Sequence, residues 1–163
     1  MLDKIMALAA PDPSLTMREV ELQDAEQIHL HCWPERTAST VYQLVARTQQ
    51  NARQGRGLGV VVIDSKQVIG FGQITIWPRC GEISDLIVSE IYRNRGIGTA
   101  LIQYLVQRSR LMYVPSVEIG AALSNPGALS LYRRLGFKDD YKLSIDLGNG
   151  SEPVMFLRLD LRL

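Results

Sequence analysis

The spacing of apolar positions changes several times along this chain, and each change predicts an element. Leu15–Glu21 alternates and predicts a first strand. Asp24-x-x-Gln27 resembles a capping box, which opens a short helix that Pro34 ends. Val41, Leu44, Val45, Thr48 and Ala52 recur at helical spacing, and Gly55 and Gly57 stop that second helix. Leu58–Asp64 and Gln67–Trp77 then read as two strands joined by a short Ser65-Lys66 turn. Glu82–Val88 is a further strand after the Pro78–Gly81 break. Gly96–Arg110 carries Ile97, Leu101, Tyr104 and Leu105 on one helical face. Ser116–Leu123 returns as a strand, and Ala128–Leu135 as a helix closed by Gly136. Tyr141–Leu147 and Val154–Leu161 predict a terminal hairpin around Gly148-Asn149-Gly150.

The predicted order is therefore β-α-α-β-β-β-α-β-α-β-β, an α/β fold with a mixed central sheet flanked by helices. Residues 1–13 read as a flexible leader and 14–163 as a single domain. Ile5 to Ala10 is apolar but short, preceded by Asp3 and followed by Pro11 and Pro13, which suits neither a secretory signal nor a membrane span.

Composition narrows the function classes. Hydrophobic residues make up 46% and charged residues 21%, ordinary for a globular domain. A formal net charge of +1 provides no basic field for nucleic acid, and no later run has the length of a membrane helix. Cys32 and Cys80 lack metal-ligand spacing and are too few for a disulfide scaffold, which fits a reducing cytoplasm.

The stretch Glu82–Leu101 is the most informative. A hydrophobic strand leads into Arg93-Asn94-Arg95-Gly96-Ile97-Gly98 at a helix start. Glycines there let the backbone approach a ligand, and the first helical turn offers outward N–H groups and the positive end of the helix dipole. That arrangement suits a pyrophosphate, with Arg93 and Arg95 as candidates for charge-assisted contacts. The dinucleotide fingerprint needs a third glycine and a Walker loop needs Gly-Lys-Ser/Thr, so neither fits.

The segment resembles the acetyl-CoA-binding motif of the GNAT superfamily, the general-control-related N-acetyltransferases, through Arg93-x-x-Gly96-x-Gly98. A second motif agrees: Asn125-x-x-Ala128-x-x-x-Tyr132-x-x-x-Gly136-Phe137 is similar to the family's following helix. With the strand between them the two motifs span about a third of the chain. Many members carry glycine where Asn94 stands, and asparagine also tolerates unusual backbone angles.

The resemblance implies a single-domain GNAT-like fold and acetyl transfer from acetyl-CoA to an amine by direct attack on the thioester, with no metal. It implies that the backbone of Arg93, Asn94, Arg95, Gly96, Ile97, Gly98 and Thr99 holds the pyrophosphate. Leu86, Ile87 and Val88 would pair with the pantetheine arm like an added strand, in a slot opened where the sheet splays. A backbone N–H near Leu86–Val88 would stabilise the oxyanion. Asn125 commonly helps hold the coenzyme, and it also reads as a helix cap ahead of Pro126. Tyr132 matches the tyrosine that protonates or hydrogen-bonds the departing sulfur, a position compatible with a buried anchoring aromatic.

For the base, the resemblance offers Glu82 and Asp85. Their opposite parity on a strand points them to opposite faces unless a bulge intervenes, so only one is expected to face the acceptor cleft. Glu82 also reads as a solvated edge carboxylate and Asp85 as a buried hydrogen-bonded one. Trp33, Glu35 and Arg36 lie where the family often builds its acceptor wall, although a core tryptophan and solvated charges fit as well. His29, His31 and Cys32 suggest a metal cluster only superficially, since the histidines face different directions on a helix. Arg108, Arg110, Arg133 and Arg134 read as solvated or dipole partners, one of them a candidate for the coenzyme's 3′-phosphate.

The acceptor is left as a small-molecule amine or a protein or peptide amine. The absence of a dense acidic cluster disfavours polycations. The terminal hairpin is compatible with a homodimer through strand pairing. The competing reading is a non-catalytic acyl-CoA-binding or sensing module that keeps the pocket without the chemistry.

Overall fold

In a computed structural model that describes residues 14–146, 148 and 150–162, seven strands form one sheet. They are β1 (Leu15–Glu19), β2 (Gly57–Asp64), β3 (Gln67–Ile76), β4 (Gly81–Val88), β5 (Ser116–Ala122), β6 (Lys138–Asp146) and β7 (Ser151–Asp160), in the spatial order β1-β2-β3-β4-β5-β7-β6. Four helices accompany them: α1 (Ala25–His31), α2 (Ala38–Arg53), α3 (Ile97–Leu111) and α4 (Pro126–Arg134). Only β4 and β5 pair in parallel. The element order is the one the periodicity predicts, with 3-10 turns added at Leu22–Asp24 and Glu90–Tyr92.

Apolar cover on both faces explains why residues 57–62 of β2 are buried without interruption. Val60 and Val62 join a core with Leu101 and Leu105 of α3, while Val61 joins a second core with Ile28 of α1 and Val41 and Val45 of α2. Each such fully buried aliphatic side chain contributes about 1.5–3 kcal/mol. Trp33 belongs to this second core, edge-on to Phe71 at 5.9 Å, so the core reading of that tryptophan holds. The Ser65-Lys66 turn has positive φ at both residues, 47° and 71°, the backbone of a two-residue hairpin whose twist matches its strands.

Several boundaries differ from expectation. β1 ends at Glu19, and α1 starts after Asp24 as expected, but a 3-10 turn at Leu22–Asp24 precedes it and the Asp24 side chain does not cap it. Asp24 accepts from the backbone N–H of Glu21 at 2.7 Å and from Arg18 at 2.8 and 2.9 Å. Gln27 instead reaches across to β3, accepting from the Val68 N–H at 2.7 Å. The capping partner is thus Glu21, because the Asp24 carboxylate turns back toward the strand that carries Arg18. β6 begins at Lys138 rather than Tyr141. Here Gly136, at φ 97°, ends α4 with the Phe137 N–H on the Tyr132 carbonyl and its own N–H on Arg133, which reverses the chain at once. Residues 1–13, Leu147 and Asn149 lie outside the described residues, so the leader and the hairpin tip are expectations only.

Candidate functional site

The geometry of the site begins with a bulge in β4. Facing β3, the register runs Thr75↔Glu82, Ile74↔Ile83 and Gln73↔Ser84, then resumes at Phe71↔Ile87 and Gly70↔Val88. One residue of β3, Gly72, thus faces two of β4, Asp85 and Leu86. Asp85 adopts φ 54°, a left-handed conformation that aspartate tolerates better than most side chains. A Cβ on Gly72 would sit 2.7 Å from Leu86 Cδ2, so the glycine makes room for the bulged strand.

The bulge corrects the expectation that Glu82 and Asp85 face opposite ways. Glu82 and Ser84 share a face with their partners Thr75 and Gln73, and the left-handed turn brings Asp85 to that face too. All five line one cleft of about 400 Å³ beside α2. Gln73 donates to Asp85 at 2.5 Å, and the buried Thr48 hydroxyl contacts the Gln73 carbonyl oxygen at 3.0 Å. Asp85 is therefore hydrogen-bonded and also at the cleft. Glu82 lies in register with Glu118 of β5, and its carboxyl is pushed above the usual carboxylate range, chiefly by burial and then by the charges of Glu118 and Asp85. Glu118 in turn accepts from Tyr141 at 3.0 Å.

After the bulge β4 serves a second cleft. β4 and β5 pair only from Gly81↔Val117 to Ile83↔Ile119, and beyond that β5 continues along β7 alone. The strands splay, and a slot of about 700 Å³ opens between them. Leu86, Ile87 and Val88 form one wall, and Asn125, Ala128 and Tyr132 of the α4 segment another. Its floor is the start of α3: Arg93, Asn94, Gly96, Ile97, Gly98 and Thr99. Asn94 takes φ 61° and Gly96 φ 79°, and no side chain caps the helix. A Cβ on Gly98 would find nothing nearer than Val88 Cγ2 at 4.0 Å, so the backbone there is open to the slot.

Tyr132 is 8% exposed, and its hydroxyl makes no hydrogen bond among the described residues. Burial pushes its pKa up, so it stays protonated and able to donate. The Asn125 side chain caps α4 by accepting from the Ala128 N–H at 3.2 Å, with Pro126 next, so cap and slot-lining residue coincide. Arg93 donates to the Val88 carbonyl at 3.1 Å. Arg95 does not line the slot: it stacks on Tyr92, 5.2 Å from the ring centre.

The other arginines separate clearly. Arg108 pairs with Glu19 at 2.6 Å, Arg133 with Asp139 at 2.9 Å, and Arg110 reaches the Leu161 carbonyl. Arg134 alone of the four lines the slot. His29 contacts the Arg36 carbonyl at 2.9 Å, Cys32 is buried, and no group of three or more metal-ligating side chains occurs among the described residues. No helix of the described residues is long and apolar enough to cross a membrane. Sequence reasoning missed the Thr48–Gln73 pair and Arg47, which lines the acceptor-side cleft; each lies on an element with no motif to mark it.

Comparison with known proteins agrees with this geometry. Residues 22–137 match the family described as acetyltransferase (GNAT). An uncharacterised N-acetyltransferase of Methanocaldococcus jannaschii is 31% identical over 85 residues, 52% of this chain and 36% of that protein. An N-alpha-acetyltransferase of Sulfurisphaera tokodaii is 38% identical over 74 residues, 43% of this chain and 44% of that protein. The matches thus span less than half the length of these relatives. Among solved structures, a ribosomal L7/L12 alpha-N-protein acetyltransferase in complex with coenzyme A superposes with a TM-score of 0.78 at 13% identity, covering 93% of this chain and 96% of that one. At that identity the likeness is one of fold.

Proposed function

This chain belongs to the GNAT acetyltransferase family, and from that premise we propose that it transfers an acetyl group from acetyl-CoA to an amine. The observation that carries the reading is the junction of two clefts at the β4 bulge. Leu86, Ile87 and Val88 line the slot, and Glu82, Ser84 and Asp85 line the carboxylate-bearing cleft. A thioester carbonyl at the inner end of the slot would meet an amine entering from the other side.

The start of α3 would hold the pyrophosphate on its uncapped N–H groups and helix dipole. Arg134, which lines the slot, would meet a further phosphate. The edge of β4 left by the splay would hydrogen-bond the pantetheine arm, and a backbone N–H of Leu86–Val88 would stabilise the oxyanion, a role worth ~3–4 kcal/mol when one donor is lost. An alkyl amine is mostly protonated at neutral pH, and Glu82, with its raised pKa, is the base that fits. Asp85, already engaged by Gln73, would orient or relay. Tyr132 would donate its proton to the departing thiolate. The acceptor is a protein or peptide amine or a small amine, and the chain acts in the cytoplasm without a metal. Among the described residues β6 lies at the sheet edge and pairs with β7 alone, which supports a homodimer by strand pairing.

Thermal unfolding with acetyl-CoA, and with ATP for comparison, tests the donor. At about 100 times its Kd a ligand stabilises by roughly 2.7 kcal/mol, or about 5–11 °C for a domain of this size. A shift with acetyl-CoA and little with ATP is expected. No shift at saturation would remove the coenzyme from the reading. Binding without turnover of any amine would favour an acyl-CoA-sensing module.

A further inference from the structure

The cleft beside α2 holds charges of both signs. Glu82 and Asp85 lie on its β4 side, while Arg36 and Arg47 come from the other wall. The ion pairs among the described residues join Arg18 to Asp24, Arg108 to Glu19, Arg133 to Asp139 and Arg162 to Asp160. None uses Arg36, Arg47, Glu82 or Asp85. Arg36 is held by stacking, its guanidinium carbon 4.2 Å from the centre of the Trp33 ring, and Trp33 is itself fixed in the core. Arg47 projects from α2 one residue before Thr48, whose hydroxyl meets Gln73, so that part of the helix is pinned to the floor of the cleft. Two cations on one wall and two carboxylates on the other make a bipolar site.

We propose that the acceptor is an amine that also carries a carboxylate, with its amine toward Glu82 and Asp85 and its carboxylate on Arg36 and Arg47. This rests on the acetyltransferase reading above and names its substrate class. A guanidinium pairs a carboxylate with two parallel N–H donors, which fixes orientation as well as charge. An acceptor of this kind neutralises both walls at once. A polyamine satisfies only the carboxylates and brings its remaining charges against two unpaired arginines. The carboxylate comes from an acidic side chain near a peptide amino terminus or from the α-carboxylate of a free amino acid, and matched pairs of probes separate these sources.

The test uses the full chain with coenzyme A bound, so that affinity is read by calorimetry without turnover. The probes are the tetrapeptide amides Ser-Glu-Glu-Ala and Ser-Gln-Gln-Ala, then serine and serinamide, with spermidine as the polycation. In at least one pair the carboxylate member is expected to bind about tenfold more tightly than its amide. The variant carrying Arg36→Gln and Arg47→Gln should bring that ratio close to one. Both arginines are exposed, and Arg47→Gln alone provides a second variant that leaves the Trp33 stack intact. Equal affinities in both pairs, a ratio untouched by either variant, or tighter spermidine binding would overturn the proposal. Turnover with acetyl-CoA is measured in parallel. Selective binding without acetylation of any probe would sink the acetyltransferase reading alone, and acetylation without selectivity would sink this one alone.

Discussion

Gln73 Nε2 donates to Asp85 Oδ2 at 2.5 Å, and this bond spans the point where β4 slips out of register with β3. The carboxylate, which can only accept, fixes the amide with its NH2 group toward Asp85 and its oxygen toward the Thr48 hydroxyl, which also reaches the Leu44 carbonyl at 2.8 Å. A helix, a strand and a bulge are thus tied by one polar chain, buried at Thr48 and Gln73 and half-buried at Asp85. Asp85→Ala would leave the Gln73 donor unpaired and place a less tolerant residue at φ 54°. A loss of about 1–3 kcal/mol from the orphaned donor is expected, with backbone strain added. Asp85→Asn keeps a side chain that accepts the bond and tolerates the left-handed turn, and should lose clearly less. Chemical denaturation of both variants checks this; equal losses would mean that the bond does not hold the bulge.

The bulge also marks the limit of what the sequence discloses. Two motifs are legible because their chemistry is local: Gly96 and Gly98 at a helix start, and Asn125 to Phe137, where Asn125 caps the helix and Gly136 reverses the chain. The element order is legible because helices and strands differ in period. Parity predicts opposite faces for Glu82 and Asp85, and that inference fails at a single backbone angle. No residue type in Glu82–Val88 announces a left-handed aspartate. Its cause lies in β3, where Gly72 leaves room for Leu86 and Gln73 holds the carboxylate. Arg47 is hidden for a similar reason, since an arginine on an exposed helix face acquires meaning only when the opposite wall is known.

Glu82 and Glu118 stand in register on parallel strands, and the second charge helps to raise the pKa of the first. For a base, activity appears as the group deprotonates, so the acid limb of kcat/KM is expected above the ordinary carboxylate range. Glu118→Gln removes one like charge and should move that limb to lower pH. Glu82→Gln should lower kcat by roughly 10²–10⁴-fold, the usual scale for a general base. An acid limb unmoved by Glu118→Gln would assign it to another group.

The same shift has a consequence for stability. Because the folded-state pKa of Glu82 lies above the unfolded value, the folded protein holds this proton more tightly. The stability it contributes is full below the unfolded pKa and is lost as pH rises through the raised folded value. Glu82→Gln should therefore gain on the parent protein as pH rises from the ordinary carboxylate range toward neutrality. Urea midpoints across that range measure the gap; a constant gap would show that the carboxyl titrates alike in both states.

Tyr132→Phe separates a proton donor from a packing residue. The ring stays in the core beside Phe137, 6.4 Å between centres, and the lost hydroxyl has no partner among the described residues. Stability should therefore hold, since the hydroxyl faces the slot and no protein hydrogen bond is lost with it. If the hydroxyl protonates the leaving thiolate, kcat falls by roughly 10²–10⁴-fold while acetyl-CoA affinity is spared. A normal kcat would reduce Tyr132 to an anchor of α4.

Gly98→Ala sets binding and stability against each other. Glycine in a helix interior costs roughly 1 kcal/mol relative to alanine; Gly98, in the first turn, carries part of that cost, and outside its own helix a Cβ there would meet nothing closer than Val88 Cγ2 at 4.0 Å. On packing alone the substitution should raise the unfolding temperature of the free protein. The same Cβ would stand at the start of α3, on the floor of the slot where a pyrophosphate has to approach the backbone. Acetyl-CoA should then bind at least tenfold more weakly to a more stable protein, and its thermal shift should shrink accordingly. Gly96→Ala provides the contrast: φ 79° makes any side chain strained there, so stability falls by about 1–2 kcal/mol even though the space is open. A Gly98→Ala protein that is stabilised and still binds acetyl-CoA normally would place the pyrophosphate somewhere other than the start of α3.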